Sequence, residues 1–204
     1  MPMSKVILWD LMDTVVKDPF FTHMADFFGI TFDQLLIDKH PTLWGQFELG
    51  MVDESALGSY FFVDERPVDV AALKNMLRDA YAFADGMQEL LASLTSRGVE
   101  MHALSNYPHW YELIEERLQL SRYMQLSFIS CRTGVRKPDP RAYHYPCQTL
   151  ARPPGELIFV DDRALNVEAA CQEGLDGVHF TGDVDSLRRK LDELLSRESV
   201  RPAR

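Results

Sequence analysis

Apolar and polar positions along the chain follow two different periods. The runs VILW (6–9), VEMHALSN (99–106), LSFIS (126–130), LIFV (157–160) and GVHF (177–180) are short and largely apolar, as strands buried on both faces are. Between the later runs, apolar residues recur every three or four positions. This predicts helices over MQELLASLTSRG (87–98), YELIEERLQL (111–120), RAYHYPCQTLA (141–151), ALNVEAACQEG (164–174) and SLRRKLDELLSR (186–197), the last an amphipathic packing helix. Strands alternating with helices through right-handed crossovers predict a doubly wound parallel α/β sheet. Residues 18–84 break the alternation. They carry only helical patterns: FTHMADFFG, TFDQLLIDKH, TLWGQFELG, DESALGSYFF and DVAALKNMLRDAYAF. Thr31, Asp53 and Asp69 are the expected N-caps, and Gly29 and Gly50 the expected stops. The expected organisation is a core of residues 1–17 and 85–204 with an all-helical cap, 18–84, inserted after the first strand.

In a parallel sheet the carboxyl ends of all strands lie at one edge, where such sheets bind ligands. Asp10 ends the first strand and Asp13-Thr14 follow it. Ser105-Asn106 end the second, Lys137 sits in the loop CRTGVRKPDP after the third, and Asp161-Asp162 end the fourth. Carboxylates gathered at one edge repel one another unless a hard cation holds them, and Mg²⁺ takes one or two carboxylates together with phosphate oxygens and water. A lysine and a hydroxyl beside the metal neutralise and hydrogen-bond the remaining phosphoryl oxygens, leaving Asp10 to attack phosphorus. The competing reading of Asp10 alone is a turn carboxylate at the end of an ordinary core strand.

Composition narrows the field. With 204 residues, 46% of them hydrophobic, the chain can bury a proper core. A net charge of −10, with no basic block before the disorder-prone tail RESVRPAR, leaves nucleic-acid binding without an electrostatic footprint. No apolar run approaches a membrane span and the N-terminus lacks signal-peptide order, which points to the cytoplasm, or to a chloroplast if a transit peptide has been removed. Cys131, Cys147 and Cys171 are odd in number and widely spaced, and read as reduced packing residues.

The ordered set WDLMDT, LSNY, VRKPDP and FVDDRALN resembles the four motifs of the haloacid dehalogenase superfamily, over about Lys5 to Phe180. The resemblance implies a Rossmann-like core of strand order 5-4-1-2-3, Mg²⁺, and an aspartyl-phosphate formed on Asp10. By the same resemblance Ser105 binds the phosphoryl group, and Lys137 neutralises it and holds the nucleophile. Asp162 binds the metal, Asp161 and Asn166 support its shell, and the backbone carbonyl of Met12 completes it.

Met12 departs from the pattern, because the superfamily's phosphatases usually carry a second, acid/base aspartate there. Such a group is typically worth roughly 10²–10⁴-fold in rate. Three explanations stand: Asp13 or a cap residue replaces it, the leaving group needs no proton, or the protein binds without catalysis. Dehalogenases of the superfamily also lack that aspartate but need no metal, so the Asp161-Asp162 pair sits oddly with them. The set DLMDTVVKDPFF, KHPTLW with FELG, SNYPHWY and RKPDP is further similar to the plant chloroplast flavin mononucleotide (FMN) hydrolases and their bacterial relatives, which have methionine at this position. That similarity implies a phosphatase and suggests FMN as substrate. A flat ring would find aromatic partners in Tyr107 and Trp110, whose alternative role is packing against the cap. Phe27, Phe28, Phe61 and Phe62 read as cap core. Lys39 reads as a solvated helix-end lysine and His102 as a satisfied histidine, while Arg136 and Arg163 are expected to contact phosphate or, for Arg163, to orient Asp161. The expected function is Mg²⁺-dependent hydrolysis of a small phosphate monoester. A catalytically silent binding or scaffold protein of the same fold and a dehalogenase-type hydrolase are the alternatives.

Overall fold

The computed structural model describes residues 5–197; apart from Arg197, the tail RESVRPAR lies outside them. Strand β1 (Val6–Trp9) is followed by α1 (Met24–Phe28), α2 (Phe32–Asp38), α3 (Leu43–Glu48), α4 (Glu54–Tyr60) and α5 (Val70–Ala80). Then come α6 (Met87–Ser96), β2 (Met101–Ser105), α7 (Tyr111–Leu118), β3 (Gln125–Ile129), α8 (Ser130–Thr133) and α9 (Pro140–Leu150), and finally β4 (Leu157–Asp161), α10 (Ala164–Gln172), β5 (Asp176–His179) and α11 (Val184–Ser196). The five strands form one parallel sheet of order β3-β2-β1-β4-β5, which is the expected order read from the other edge.

β1 is central because all four of its residues are apolar and fully buried, so it needs cover on both faces. Its side chains alternate between two clusters. Ile7 and Trp9 join the larger one, with α5, α6, α7 and α11, while Val6 and Leu8 meet Phe128, Tyr143 and Phe159 on the other face. Each such buried side chain contributes on the order of 1.5–3 kcal/mol of transfer free energy. Among the described residues no helix is long and apolar enough to cross a membrane.

Residues between β1 and α6 form helices and isolated bridges, with no strand of the sheet among them. The helix signals operate locally as read. Thr31, Asp53 and Asp69 each accept a backbone N–H from the third residue on, and Gly29 and Gly50 close α1 and α3 at positive φ. The two crossings between this segment and the sheet run side by side, with Lys17 N donating to Ala82 O at 2.9 Å and Ala84 N to Val15 O at 2.9 Å.

The loop expected over 131–140 begins in a helical turn, α8, which the sequence pattern did not suggest because four residues are too few to show a period. This turn is where α3 rests on the core. Ser130 Oγ donates to the Glu48 carbonyl at 2.5 Å and accepts from Tyr107 N at 2.9 Å. At Gly50, φ is +68° and an added Cβ would lie 2.8 Å from the Cys131 carbonyl oxygen, so both conformation and space require glycine. Gly50→Ala should therefore cost about 1–3 kcal/mol and lower the melting temperature. A thermal melt indistinguishable from the parent would show that this seam does not constrain the fold.

Candidate active site

The end of β1 delivers Asp10, whose N–H donates to Val160 O on the neighbouring β4 at 2.9 Å. The chain then turns at once. Val15 and Val16 N–H both donate to Leu11 O, Asp13 N donates to Val16 O, and Asp13 takes φ 53°, a conformation aspartate tolerates better than most residues. This turn holds Met12 and Asp13 at the mouth of a cavity and brings Thr14 under β4, where its Oγ1 accepts the Asp162 N–H at 3.0 Å.

Lys137 arrives from the opposite side on a loop pinned by Asn106. The amide of Asn106 donates to Lys137 O at 2.9 Å and accepts from Lys137 N at 2.8 Å. The buried ammonium lies 2.7 Å from both Asp10 Oδ1 and Asp161 Oδ2. Asp161 is fully buried and also accepts from the Asn166 amide at 3.0 and 3.1 Å and from Arg163 N at 2.8 Å. Carboxylate oxygens of Asp10, Asp161 and Asp162 lie within 4.8 Å of one another.

Three carboxylates around one lysine leave negative charge in excess, and the proton affinities show it. Burial raises Asp10 above the ordinary aspartate value, with Lys137 opposing and Asp161 reinforcing the shift. Burial, then Asp10 and Asp161, push Asp162 up to about 6. Burial disfavours the charge on Lys137, but Asp10 and Asp161 outweigh it and hold its pKa above the usual lysine value.

The group faces a cavity of about 580 Å³, a size suited to a small organic ligand. Asp10, Asn106, Lys137, Asp162, Arg163 and Asn166 line the sheet side, and Phe20, Phe21, Met24, Leu36, Trp44 and Phe61 an apolar side. A more open cleft of about 670 Å³ over α4 and α5 gathers no carboxylate cluster, so the chemistry belongs to the former.

Of the residues expected at a site, Asp10, Met12, Asp13, Asn106, Tyr107, Lys137 and Asp162 all line this cavity. Asp161 sits behind it, bonded to Lys137. Ser105 Oγ is buried at the end of β2 with no hydrogen-bond partner among the described residues, and Ser105 does not itself line the cavity. Tyr107 is nearly buried, its hydroxyl 2.6 Å from that of Tyr81.

The remaining expectations divide. Trp110 is not brought to the cavity: its ring packs on Phe47 and Trp44, and its indole N–H donates to Glu54 at 2.7 Å. The residue directly after a strand end faces the edge, but four positions later the chain has turned into α7. Lys39, read as solvated, lines the cavity with His40 because the Lys39–Phe62 bridge folds the end of α2 inward. Arg163 orients Asp161 through its backbone N–H, and its exposed side chain lines the cavity. Arg136 pairs with Glu48 on the cavity wall at 2.5 Å. His102 is satisfied, by Ser127 and Glu100.

Two lining carboxylates were not singled out. Asp18 follows the first crossing and Glu48 ends α3; both stood inside runs quoted for the resemblance, yet nothing local marks either as facing a cavity.

A parallel sheet of this order, with a lysine-held carboxylate at the end of its central strand, defines a Rossmann-like α/β enzyme class whose site opens at the carboxyl edge. The chain belongs to the haloacid dehalogenase-like hydrolase family, whose model matches residues 5–174. It is 44% identical over 189 residues to flavin mononucleotide hydrolase 1, chloroplastic, of Arabidopsis thaliana, covering 93% of this chain and 77% of that one. It is 29% identical over 144 residues to a sesquiterpene phosphatase of Aspergillus oryzae, covering 68% and 72% of the two chains. Among solved structures, a family enzyme of Bacteroides thetaiotaomicron in complex with magnesium and inorganic phosphate superposes with a TM-score of 0.75 at 16% identity, covering 91% of this chain and 99% of that one. That last likeness concerns the fold.

Glu48 supplies a stability test. Burial raises its carboxyl from 4.5 to about 7, against the pull of Arg136 and the Trp44 N–H. Below pH 4.5 the acid is protonated in folded and unfolded chains alike. Between pH 4.5 and about 7 the unfolded chain ionises this carboxyl freely while the folded chain keeps it protonated, so its contribution to stability falls across that window and is gone once pH has passed about 7. Glu48→Gln removes this slope. Its stability relative to the parent should rise between pH 5 and pH 8 by about 2.5 kcal/mol, read from denaturant midpoints. Parallel pH profiles for the two proteins would contradict it.

Proposed function

We propose that the chain is a Mg²⁺-dependent phosphomonoesterase acting on a small organic phosphate, with FMN the first substrate to try. The observation that carries the reading is the Asp10–Lys137–Asp161 bridge with Asp162 beside it, facing a cavity of small-molecule size. The donor set fits a hard cation: its ligating atoms are carboxylate oxygens only, they converge, and one lysine leaves them under-neutralised. Asp10, Asp162 and the Met12 carbonyl would hold the ion, with Asp161 supporting it. When bound, Mg²⁺ supplies neutralisation of the phosphoryl oxygens and of the carboxylates around them.

The chain's own groups then divide the work. Asp10 is the nucleophile, its free oxygen aimed by the bond that Lys137 makes to Oδ1. Attack on phosphorus forms an aspartyl-phosphate on Asp10 and expels the substrate alcohol, and water then hydrolyses that intermediate. Lys137 balances charge on both carboxylates as the phosphoryl group approaches, and the unpartnered Ser105 hydroxyl and the Asn106 edge serve its oxygens. Residues 18–84 act as a cap over the core formed by 1–17 and 85–204. Phe20, Phe21, Trp44 and Phe61 give the organic part of the substrate an apolar, aromatic wall, and cap contact with it excludes bulk water. The similarity to the Arabidopsis enzyme over most of both chains is what favours FMN. The partner is thus a small phosphate ester rather than nucleic acid, and the compartment the cytoplasm, or a chloroplast for an imported form.

Asp10→Asn should keep the fold and lose at least about 10³-fold in turnover, since an amide is a poor nucleophile. Near-parental activity in the purified variant would eliminate the mechanism. Chelation should abolish turnover of the parent and added Mg²⁺ restore it, while Asp162→Ala should remain inactive at Mg²⁺ concentrations that saturate the parent. Hydrolysis that persists in excess EDTA would instead place the chain with the metal-independent dehalogenases.

A further inference from the structure

Loss of a carboxylate at position 12 leaves the proton work of ester cleavage without its usual owner, and the cavity holds four other groups able in principle to do it: Asp13, Asp18, His40 and Glu48. Two are committed elsewhere, and the third, Asp13, is open to solvent where Asp18 is half-buried. Both Glu48 oxygens are engaged, Oε1 by the Trp44 indole at 2.8 Å and Oε2 by Arg136 at 2.5 Å. His40 Nδ1 accepts from the backbone N–H of Thr42 at 3.3 Å and of Leu43 at 3.1 Å, so a proton there would face two donors; the ring can donate from Nε2 but cannot cycle between acid and base. Asp13 is exposed in a left-handed turn, and its Oδ1 holds the Asp18 N–H at 2.9 Å.

Asp18 differs from all three. It lies where the chain leaves the sheet for α1 and lines the cavity together with Asp10, Asp13 and Tyr107. Its Oδ1 accepts from Phe20 N at 2.9 Å, and among the described residues Oδ2 has no hydrogen-bond partner and neither oxygen has a cation. The groups acting on it are anionic or neutral: Asp10 and Asp13 from the turn, and the phenols of Tyr81 beyond α5 and Tyr107 beyond β2. The adjacent Lys17 is paired with Asp85.

We propose that Asp18 is the general acid and base of the reaction, doing from the first cap crossing what a carboxylate at position 12 would do from the turn. This rests on the phosphatase reading above. In the first half-reaction Asp10 bonds to phosphorus, the phosphorus–ester oxygen bond breaks, and the Asp18 carboxylic acid gives its proton to the departing oxygen. In the second, water bonds to phosphorus as its proton passes to the Asp18 carboxylate, and the bond from phosphorus to Asp10 breaks. Phosphate leaves and both aspartates are back where they began. Burial, then the backbone bond from Phe20 opposing it and repulsion from Asp13 and Asp10, put the Asp18 carboxyl at about 6, so both protonation states are accessible near neutral pH.

The test is Asp18→Asn in the full chain with Mg²⁺. The amide oxygen still accepts from Phe20 N and a negative charge beside Asp10 is removed, so the melting temperature should not fall. For an alkyl phosphate such as glycerol phosphate, kcat/KM should drop by roughly 10²–10⁴-fold, and the limb of its pH profile near 6 should vanish. For nitrophenyl phosphate, whose leaving group needs no proton, kcat/KM should change little. Hydrolysis of the intermediate then becomes slow, so nitrophenol should appear as a burst equal to the enzyme concentration. Asp18→Ser, which keeps an acceptor for the Phe20 N–H, should show the same signature. An unaltered alkyl-to-aryl ratio without a burst in either folded variant overturns the proposal, as does the same signature in Asp13→Asn instead. A folded parent inactive on both esters overturns the phosphatase reading, and this assignment with it.

Discussion

One buried ammonium between two buried carboxylates sets the terms for the rest of the structure. Lys137 reaches Asp10 and Asp161 from a loop after β3 whose backbone is tied to Asn106 at the end of β2, which puts the ends of β1 and β4 around a single nitrogen. Such a pair contributes little net stability, since desolvation consumes most of the Coulomb gain, whereas removing one partner costs about 3–5 kcal/mol. The fold therefore holds the bridge more than the bridge holds the fold. The stabilisation comes from the apolar clusters on both faces of β1, and the sheet spends part of it keeping charges where water would not.

The same constraint accounts for the pattern of perturbed acids. Asp162 and Asp18 both line the cavity, and each is raised first by burial and then by its anionic neighbours. Asp161 is surrounded by donors: Lys137, the Asn166 amide and the Arg163 N–H. Side chains of identical chemistry are thus sorted into roles by the number of donors each can reach.

The part of the site borne by strand ends was legible in the sequence. An apolar run stopping at Asp10 or at Asp161-Asp162 states both the strand and the edge at which it ends, because parallel strands share that edge. Lys137 was legible through its motif, but the Asn106 clamp that aims it was not, since it joins backbone and amide 31 residues apart. Legibility failed wherever a helix decided the outcome. Trp110 was turned away by the start of α7, Lys39 and His40 were turned in by the bridge to Phe62, and Glu48 faces the cavity because α3 sits on α8. Periodicity says which face of a helix is apolar and nothing about which neighbour covers it.

The two backbone hydrogen bonds that zip Val15–Lys17 to Ala82–Ala84 have a bearing on how such a chain diversifies. Because the inserted helices leave and re-enter the sheet side by side, an unrelated segment spliced between the same two points would not disturb the order of the strands or the residues at their ends. Inheritance of the hydrolytic edge is in this way uncoupled from inheritance of the ligand-facing wall. The exchange is not wholly free: Ser130 and Arg136 on the core side are already bonded to Glu48, so a transplanted segment must present an acceptor to each or strand them. Recombination at this junction would thus be filtered by these polar contacts together with the apolar seam that Trp44, Phe47 and Leu73 share with Trp9 and Trp110.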